Sequence, residues 1–166
     1  MVTVTRSAWD VAASVPDPEL PMVTLADLGI LRAVEADADH VCVTITPTYS
    51  GCPAMREISH DLRRRLTAAG YVDVVVRTSL APAWSSDWIT AEGRAKLAAA
   101  GVAPPIAVPA RRGPVPLTLF PRRRAVSCPR CGSGDTRETS AFSGTACKAL
   151  YRCGACDEPF EYVKEI

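Results

Sequence analysis

Two cysteine pairs and one solitary cysteine are the residues of this chain whose types and spacing could do chemistry. Cys128-Pro129-Arg130-Cys131 and Cys153-Gly154-Ala155-Cys156 form two CxxC knuckles separated by 21 residues. Each knuckle presents two thiolates on one side of a tight turn, and the two together make a closed tetrahedral sulfur site suited to zinc. A single iron or an iron-sulfur cluster also accepts four thiolates. Four sulfur ligands leave no open coordination position, so the expected role is structural and not catalytic. Cys147 is the surplus sulfur of this module, expected in the core or beside the ligands.

The solitary cysteine is Cys52, in the stretch Thr46-Pro47-Thr48-Tyr49-Ser50-Gly51-Cys52-Pro53. Pro53 suits the first position of a helix, which would make Cys52 its N-cap. A sulfur there faces the N–H groups of Ala54 and Met55 and the positive end of the helix dipole, which favours the thiolate, a nucleophile or a metal ligand. The plainer alternative is a small residue filling a tight turn, which Gly51 and Pro53 would serve equally well. A thiol enzyme would need a histidine base, and His40 and His60 each stand alone at positions expected to be exposed.

The elements that must position these residues follow from periodicity. Val41, Val43 and Ile45 alternate with Cys42, Thr44 and Thr46, the signature of a strand with one buried face. Met55, Ile58, Leu62 and Leu66 recur at three and four residues, the stripe of a helix packed on that sheet, and Gly70 supplies its stop. Asp27 to Val34 reads as a strand joined to the next through Ala38-Asp39-His40, and Tyr71 to Leu80 reads as a third strand. Ser7 to Ser14 is a short helix candidate in which Trp9 could share a face with Ala12 or Ala13. Three prolines, Pro16, Pro18 and Pro21, then hold Asp17 and Glu19 on an extended backbone, where they read equally as capping acids of a solvated loop. A further helix is expected from Thr90 to Gly101, after Trp84 and Trp88, two tryptophans whose spacing favours packing.

Composition narrows the class. The chain has 19 basic and 18 acidic residues, which gives no global attraction to nucleic acid or anionic membrane. No apolar run approaches membrane-spanning length and the N-terminus has no signal-peptide core, so a cytoplasmic protein is expected, with neither membrane nor nucleic acid among its partners. No Walker or dinucleotide glycine loop is present. Between Pro104 and Ser127 the composition shifts to prolines with five arginines and no acid, an extended linker. The expected fold is therefore α+β, a small helix-covered sheet over residues 1–103, a Pro/Arg-rich linker over 104–127, and a three-stranded zinc ribbon over 128–166. The ribbon strands are expected at Arg137 to Phe142, Lys148 to Arg152 and Phe160 to Val163. The ribbon carries 5 basic and 6 acidic side chains, so it lacks the basic face of a nucleic-acid binder.

Asp17-Pro18-Glu19, Asp27-Leu28-Gly29-Ile30 and the Pro47 to Pro53 stretch around Cys52 resemble the metal-sulfur cluster assembly domain of SufT-like proteins. Together with Trp84-Ser85-Ser86-Asp87-Trp88, Gly93-Arg94-Ala95-Lys96-Leu97, Ala103-Pro104-Pro105 and Thr145-Ala146-Cys147-Lys148-Ala149, they resemble the PaaD family, the D subunits of the bacterial phenylacetyl-CoA epoxidase system. The resemblance covers most of the chain except the linker. It implies an accessory role in aerobic phenylacetate breakdown, without catalytic activity of its own, that helps load or mature the metal centres of oxygenase or reductase subunits. It also implies cluster or iron transfer at Cys52, with Asp17, Glu19 and Thr46 as neighbours. A cluster needs about four protein ligands and Cys52 supplies one, so any iron-sulfur cluster here would be transient, shared with the client, or bridged between the subunits of a homodimer. A purely structural subunit that stabilises the oxygenase assembly is the alternative.

Overall fold

The strand expected around Val41 to Thr46 and the helical stripe from Met55 to Leu66 are the centre of the N-terminal fold. The structure, a computed structural model, describes residues 7–37, 40–106 and 126–166. It divides into two compact units, Met1–Lys96 with Ile166, and Leu97–Glu165.

In the first unit α1 (Ala8–Ala13) is capped by Ser7, whose hydroxyl accepts the Asp10 N–H. Val11 and Ala12 are buried, whereas Trp9 is 47 % exposed and does not share their face. β1 (Leu31–Ala36), β2 (His40–Ile45) and β3 (Asp73–Thr78) form a sheet in that order. β1 and β2 run antiparallel, and β2 and β3 parallel, so the sheet is mixed. The parallel pair requires a crossover, which α2 (Ala54–Ala68) provides. Val41, Val43 and Ile45 on β2 and Leu62 and Leu66 on α2 are all inaccessible to solvent, and Ile58 nearly so. Met55, at the start of the expected stripe, is only half-buried; Ala54 is buried instead. Gly70 follows the helix at φ 105°, a left-handed conformation that a residue with a Cβ rarely adopts.

β1 begins at Leu31 and not at Asp27 as the sequence suggested. Thr24 and Asp27 cap one another, the Asp27 carboxylate accepting the Thr24 N–H and the Thr24 hydroxyl accepting the Asp27 N–H. This reciprocal pair stabilises a turn, and Gly29 at φ 67° continues it up to the strand. Trp84 is buried and donates its indole N–H to the Leu28 carbonyl at 2.9 Å, while the Arg32 guanidinium lies 3.7 Å above the Trp88 ring. Both tryptophans therefore act in packing, as their spacing suggested. α3 (Ala91–Ala99) starts where the Thr90 hydroxyl accepts the Gly93 N–H, and Gly101 follows its end at φ 81°.

The second unit holds β4 (Val102–Ala103), β5 (Thr136–Ser140), β6 (Lys148–Cys153) and β7 (Pro159–Val163). Its sheet order is β4-β7-β6-β5. The antiparallel ribbon β5-β6-β7 was expected; β4, pairing in parallel with β7 through Val102 and Ala103, makes it four-stranded. The expected boundary after residue 103 thus differs from the observed division, because Val102 and Ala103 are a strand of the ribbon sheet. Val126, assigned to the linker from composition, is buried in the ribbon core with Ala103, Ala149, Tyr151, Phe160 and Tyr162. Tyr151 stacks on Phe160 and meets Tyr162 edge-on, with ring centroids 5.9 and 5.4 Å apart. The rest of the expected linker, residues 107–125, and Ala38-Asp39 of the expected β1–β2 turn lie outside the described residues. No described helix is long and apolar enough to cross a membrane.

Candidate metal centres

The knuckles are built by backbone before any metal is considered. The Gly132 N–H donates to the Cys128 carbonyl and the Cys128 N–H to the Ser133 carbonyl, both at 2.9 Å, which folds the first turn. The second turn follows β6, where the Cys153 N–H donates to the Glu158 carbonyl and the Gly154 N–H to the Asp135 carbonyl. A Cβ on Gly154 would lie 2.3 Å from an Asp135 carboxylate oxygen, so a larger residue there would displace the exposed Asp135 side chain.

These turns bring the four sulfur atoms within 4.8 Å of one another. Cys128 and Cys156 are 3.8 Å apart and Cys131 and Cys153 3.6 Å. Tetrahedral ligands at a zinc–sulfur bond length would stand about 3.8 Å apart, so the four residues fit a tetrahedral metal thiolate. Cys128 and Cys153 are buried, and Cys131 and Cys156 exposed. The thiols already differ in acidity. The Cys156 N–H, followed by that of Ala155, outweighs burial and lowers the pKa of Cys153 to about 7. At Cys156 the Glu158 N–H acts downward, but burial and the facing thiols of Cys131, Cys153 and Cys128 push the value up to about 12. A cation among the four would hold all of them deprotonated. Cys147 is outside this set; its sulfur lies 3.2 Å from the Thr145 hydroxyl, and its carbonyl accepts the Lys164 N–H.

The Cys52 corner differs from its sequence reading in one respect. The helix cap is Pro53, already in helical conformation at φ −67° and ψ −26°, and the proline side chain makes no capping hydrogen bond. Because Pro53 is the cap and not the first helical residue, Cys52 stands one position further out. Its N–H donates to the Tyr49 carbonyl at 3.3 Å and its carbonyl accepts the Met55 N–H at 3.4 Å, so it closes one turn and opens the helix. The residue is half-buried and not in a disulfide.

Thr46 is buried at the end of β2, where its hydroxyl donates to the Ser79 carbonyl at 2.7 Å and its N–H to the Ile30 carbonyl at 2.9 Å. The 46–52 loop is thus tied to the chain on both sides of the sheet end. Asp17 is buried, not solvated, and one carboxylate oxygen accepts the N–H groups of Glu19 and Leu20, both at 2.9 Å. Glu19 is half-buried. Among the described residues, the four ribbon cysteines are the group of three or more potential metal ligands that the fold brings together; Asp17, Glu19 and Cys52 do not make a second. Ser79, which orients Thr46 through a main-chain carbonyl, had no signal in the sequence, since a carbonyl partner leaves no mark on residue type. His40 pairs with Asp73 at 2.9 Å and His60 is exposed on α2, so neither adjoins the thiol as a base through any described hydrogen bond.

Residues 8–76 match the family described as iron-sulfur cluster assembly protein, and residues 112–164 match the PaaD zinc beta ribbon domain. An Escherichia coli protein provisionally placed among the D subunits of 1,2-phenylacetyl-CoA epoxidase is 40 % identical over 158 residues, 95 % of this chain and 91 % of that one. A Porphyromonas gingivalis protein named Fe-S protein maturation auxiliary factor is 35 % identical over 86 residues, 51 % of this chain and 81 % of that one. The crystal structure of a DUF59 domain from Bacillus anthracis superposes with a TM-score of 0.50 at 27 % identity, covering 54 % of this chain and 87 % of that one.

Proposed function

Since the chain belongs to the PaaD family, the D subunits of the phenylacetyl-CoA epoxidase system, we propose that it is an accessory subunit that helps assemble an iron-sulfur or di-iron centre in an oxygenase or reductase client, with Cys52 as a transient ligand. The observation that carries this reading is a half-exposed thiol at the turn into α2, inside the stretch matched by the cluster assembly family. Among the described residues Cys52 belongs to no group of three or more potential metal ligands, and a resident cluster needs about four, so the site suits transfer better than storage. Thr46 holds the loop that carries the thiol, Glu19 is the half-buried acid of the same domain offered to iron in passing, and the buried Asp17 shapes the turn that carries Glu19. The iron or cluster is cargo. Zinc, bound by Cys128, Cys131, Cys153 and Cys156, is the resident metal; it cross-links the two knuckles and takes no part in transfer, and the ribbon docks the client.

The test is anaerobic purification with metal and sulfide analysis of the wild type and Cys52→Ser, alone and after coexpression with the client subunits. About one zinc per chain is expected in both proteins, with iron and sulfide associated with the wild type only and the client under-metallated beside the variant. Equal client metallation in the two sinks the transfer role and leaves a scaffold that stabilises the oxygenase assembly.

A further inference from the structure

β3 is an edge strand with neither bulge nor proline to turn a further strand away. Among the described residues it pairs only with β2. Its sequence is Asp73-Val74-Val75-Val76-Arg77-Thr78, with no proline, lysine or bulge, and its three valines are only half-buried. Val72, just before it, is 80 % exposed, and Leu80, just after it, 63 %. The opposite edge, β1, is guarded in contrast. A register shift between Leu31 and Ala33 marks a bulge at Arg32, and Glu35 is exposed. An edge strand with no bulge or proline leaves its free backbone N–H and C=O groups to a further strand of fitting charge.

The charges on β3 specify which strand. Antiparallel pairing of β3 with itself about a two-fold axis at Val75 sets Asp73 of one copy opposite Arg77 of the other, twice, and Val74 opposite Val76, twice. Asp73, Val75 and Arg77 alternate onto one face of the sheet, which the register with β2 shares with His40, Cys42 and Thr44. Directly opposed residues on one face are close enough for ion pairing. His40 engages one oxygen of Asp73, which is 69 % exposed, and Arg77 is exposed as well. Shifting the pairing by one residue in either direction would lose both ion pairs, so the sequence defines the register. An arbitrary client strand would have no reason to match this palindrome of charge.

We infer that β3 is the self-association surface of the protein, joining two copies through a continuous six-stranded sheet with reciprocal Asp73–Arg77 pairs. The antiparallel pairing sends the two 46–52 loops off opposite ends of that sheet. Each Cys52 then faces its own client, and the dimer does not gather the two thiols around one cluster.

The test is sedimentation equilibrium on the full zinc-loaded chain from low micromolar to about 100 µM, where an interface of this kind is populated. The wild type should dimerise. Arg77→Asp, which opposes Asp73 with a second carboxylate, should weaken the dimer at least about tenfold with an unchanged melting profile. The double swap Asp73→Arg with Arg77→Asp should restore it, because the pairs are only exchanged. A monomeric wild type overturns the inference, whether or not the β3 amides resist hydrogen exchange. A dimer indifferent to Arg77→Asp, or one that the double swap fails to restore, overturns it as well. None of these readings depends on iron, sulfide or client metallation, so they stand apart from the transfer role of Cys52.

Discussion

One buried hydroxyl aims the loop that carries Cys52. The Thr46 side chain is shut away from solvent and donates to the Ser79 carbonyl, so the 46–52 segment leaves the sheet in a fixed direction. Thr46→Val keeps the shape and removes the donor, which leaves the carbonyl of the half-buried Ser79 without this partner. The expected cost is about 1–3 kcal/mol in denaturant unfolding, while Thr46→Ser, which keeps the hydroxyl, should lose far less. If the hydroxyl acts on Cys52 only by holding the loop, Thr46→Val will also slow thiol alkylation or speed it, and Thr46→Ser will not. The residues that could do chemistry were legible at this scale because cysteine is rare and its spacing is informative. Their backbone partners were not. Pro53 as the cap instead of Cys52 depended on one pair of dihedral angles, and the engagement of Asp17 with its own turn depended on where the chain doubled back.

The elements meet closely where α3 starts against the Thr24–Gly29 turn. The Asp27 carbonyl accepts the Thr90 N–H, its carboxylate takes the Lys96 ammonium at 2.9 Å, and a Cβ on Gly93 would stand 2.8 Å from that carbonyl. In an isolated helix Gly93→Ala would gain about 1 kcal/mol of propensity. Here the neighbour is backbone and has little room to give, so a net loss of about 1–3 kcal/mol is expected in chemical denaturation. The same contact sets an acid limb. Burial would raise the Asp27 pKa, but the Lys96 hydrogen bond, then the Thr24 N–H, outweigh it and hold the carboxyl below its ordinary 3.8. A depressed carboxyl stabilises the fold fully above its unfolded value and loses that contribution as pH falls through the folded one. Asp27→Asn should therefore flatten the stability profile below about pH 4 and lower the plateau above it, as read from urea midpoints between pH 2 and 7. Periodicity anticipated α2 and β2 because Ile58, Leu62 and Leu66 on the one and Val41, Val43 and Ile45 on the other are buried. It misread Asp27 to Ile30 as strand, because apolar Leu28 and Ile30 flank a turn made by side-chain capping and a left-handed Gly29.

At the scale of the whole molecule the two units differ in what holds them together. The first packs helices on a sheet over fully buried aliphatic side chains, Val41, Val43, Ile45, Leu62 and Leu66 among them. Among its described residues the second has a compact, mostly aromatic core, Val126, Tyr151, Phe160 and Tyr162 foremost, together with Cys128 and Cys153 of the knuckles. Composition had placed the division between the two by the onset of proline and arginine. The physical division lies earlier, because a two-residue strand, too short to show any periodicity, joins the ribbon sheet at Val102–Ala103. A structural zinc site contributes about 10–16 kcal/mol of apparent binding energy, as much as the entire stability of an ordinary domain. For a unit with so small a core that energy is the folding energy. Cys153→Ser, which removes a fully buried ligand, should consequently abolish zinc binding and the hydrogen-exchange protection of β6 and β7, with loss of the aromatic near-ultraviolet signal from Tyr151 and its neighbours. Val43 and Leu62, in the core of the first unit, should keep the protection they have in the wild type. Loss of protection at both places at once would mean that the metal sustains the whole chain, and full protection at both would mean that the ribbon folds on its aromatic core alone.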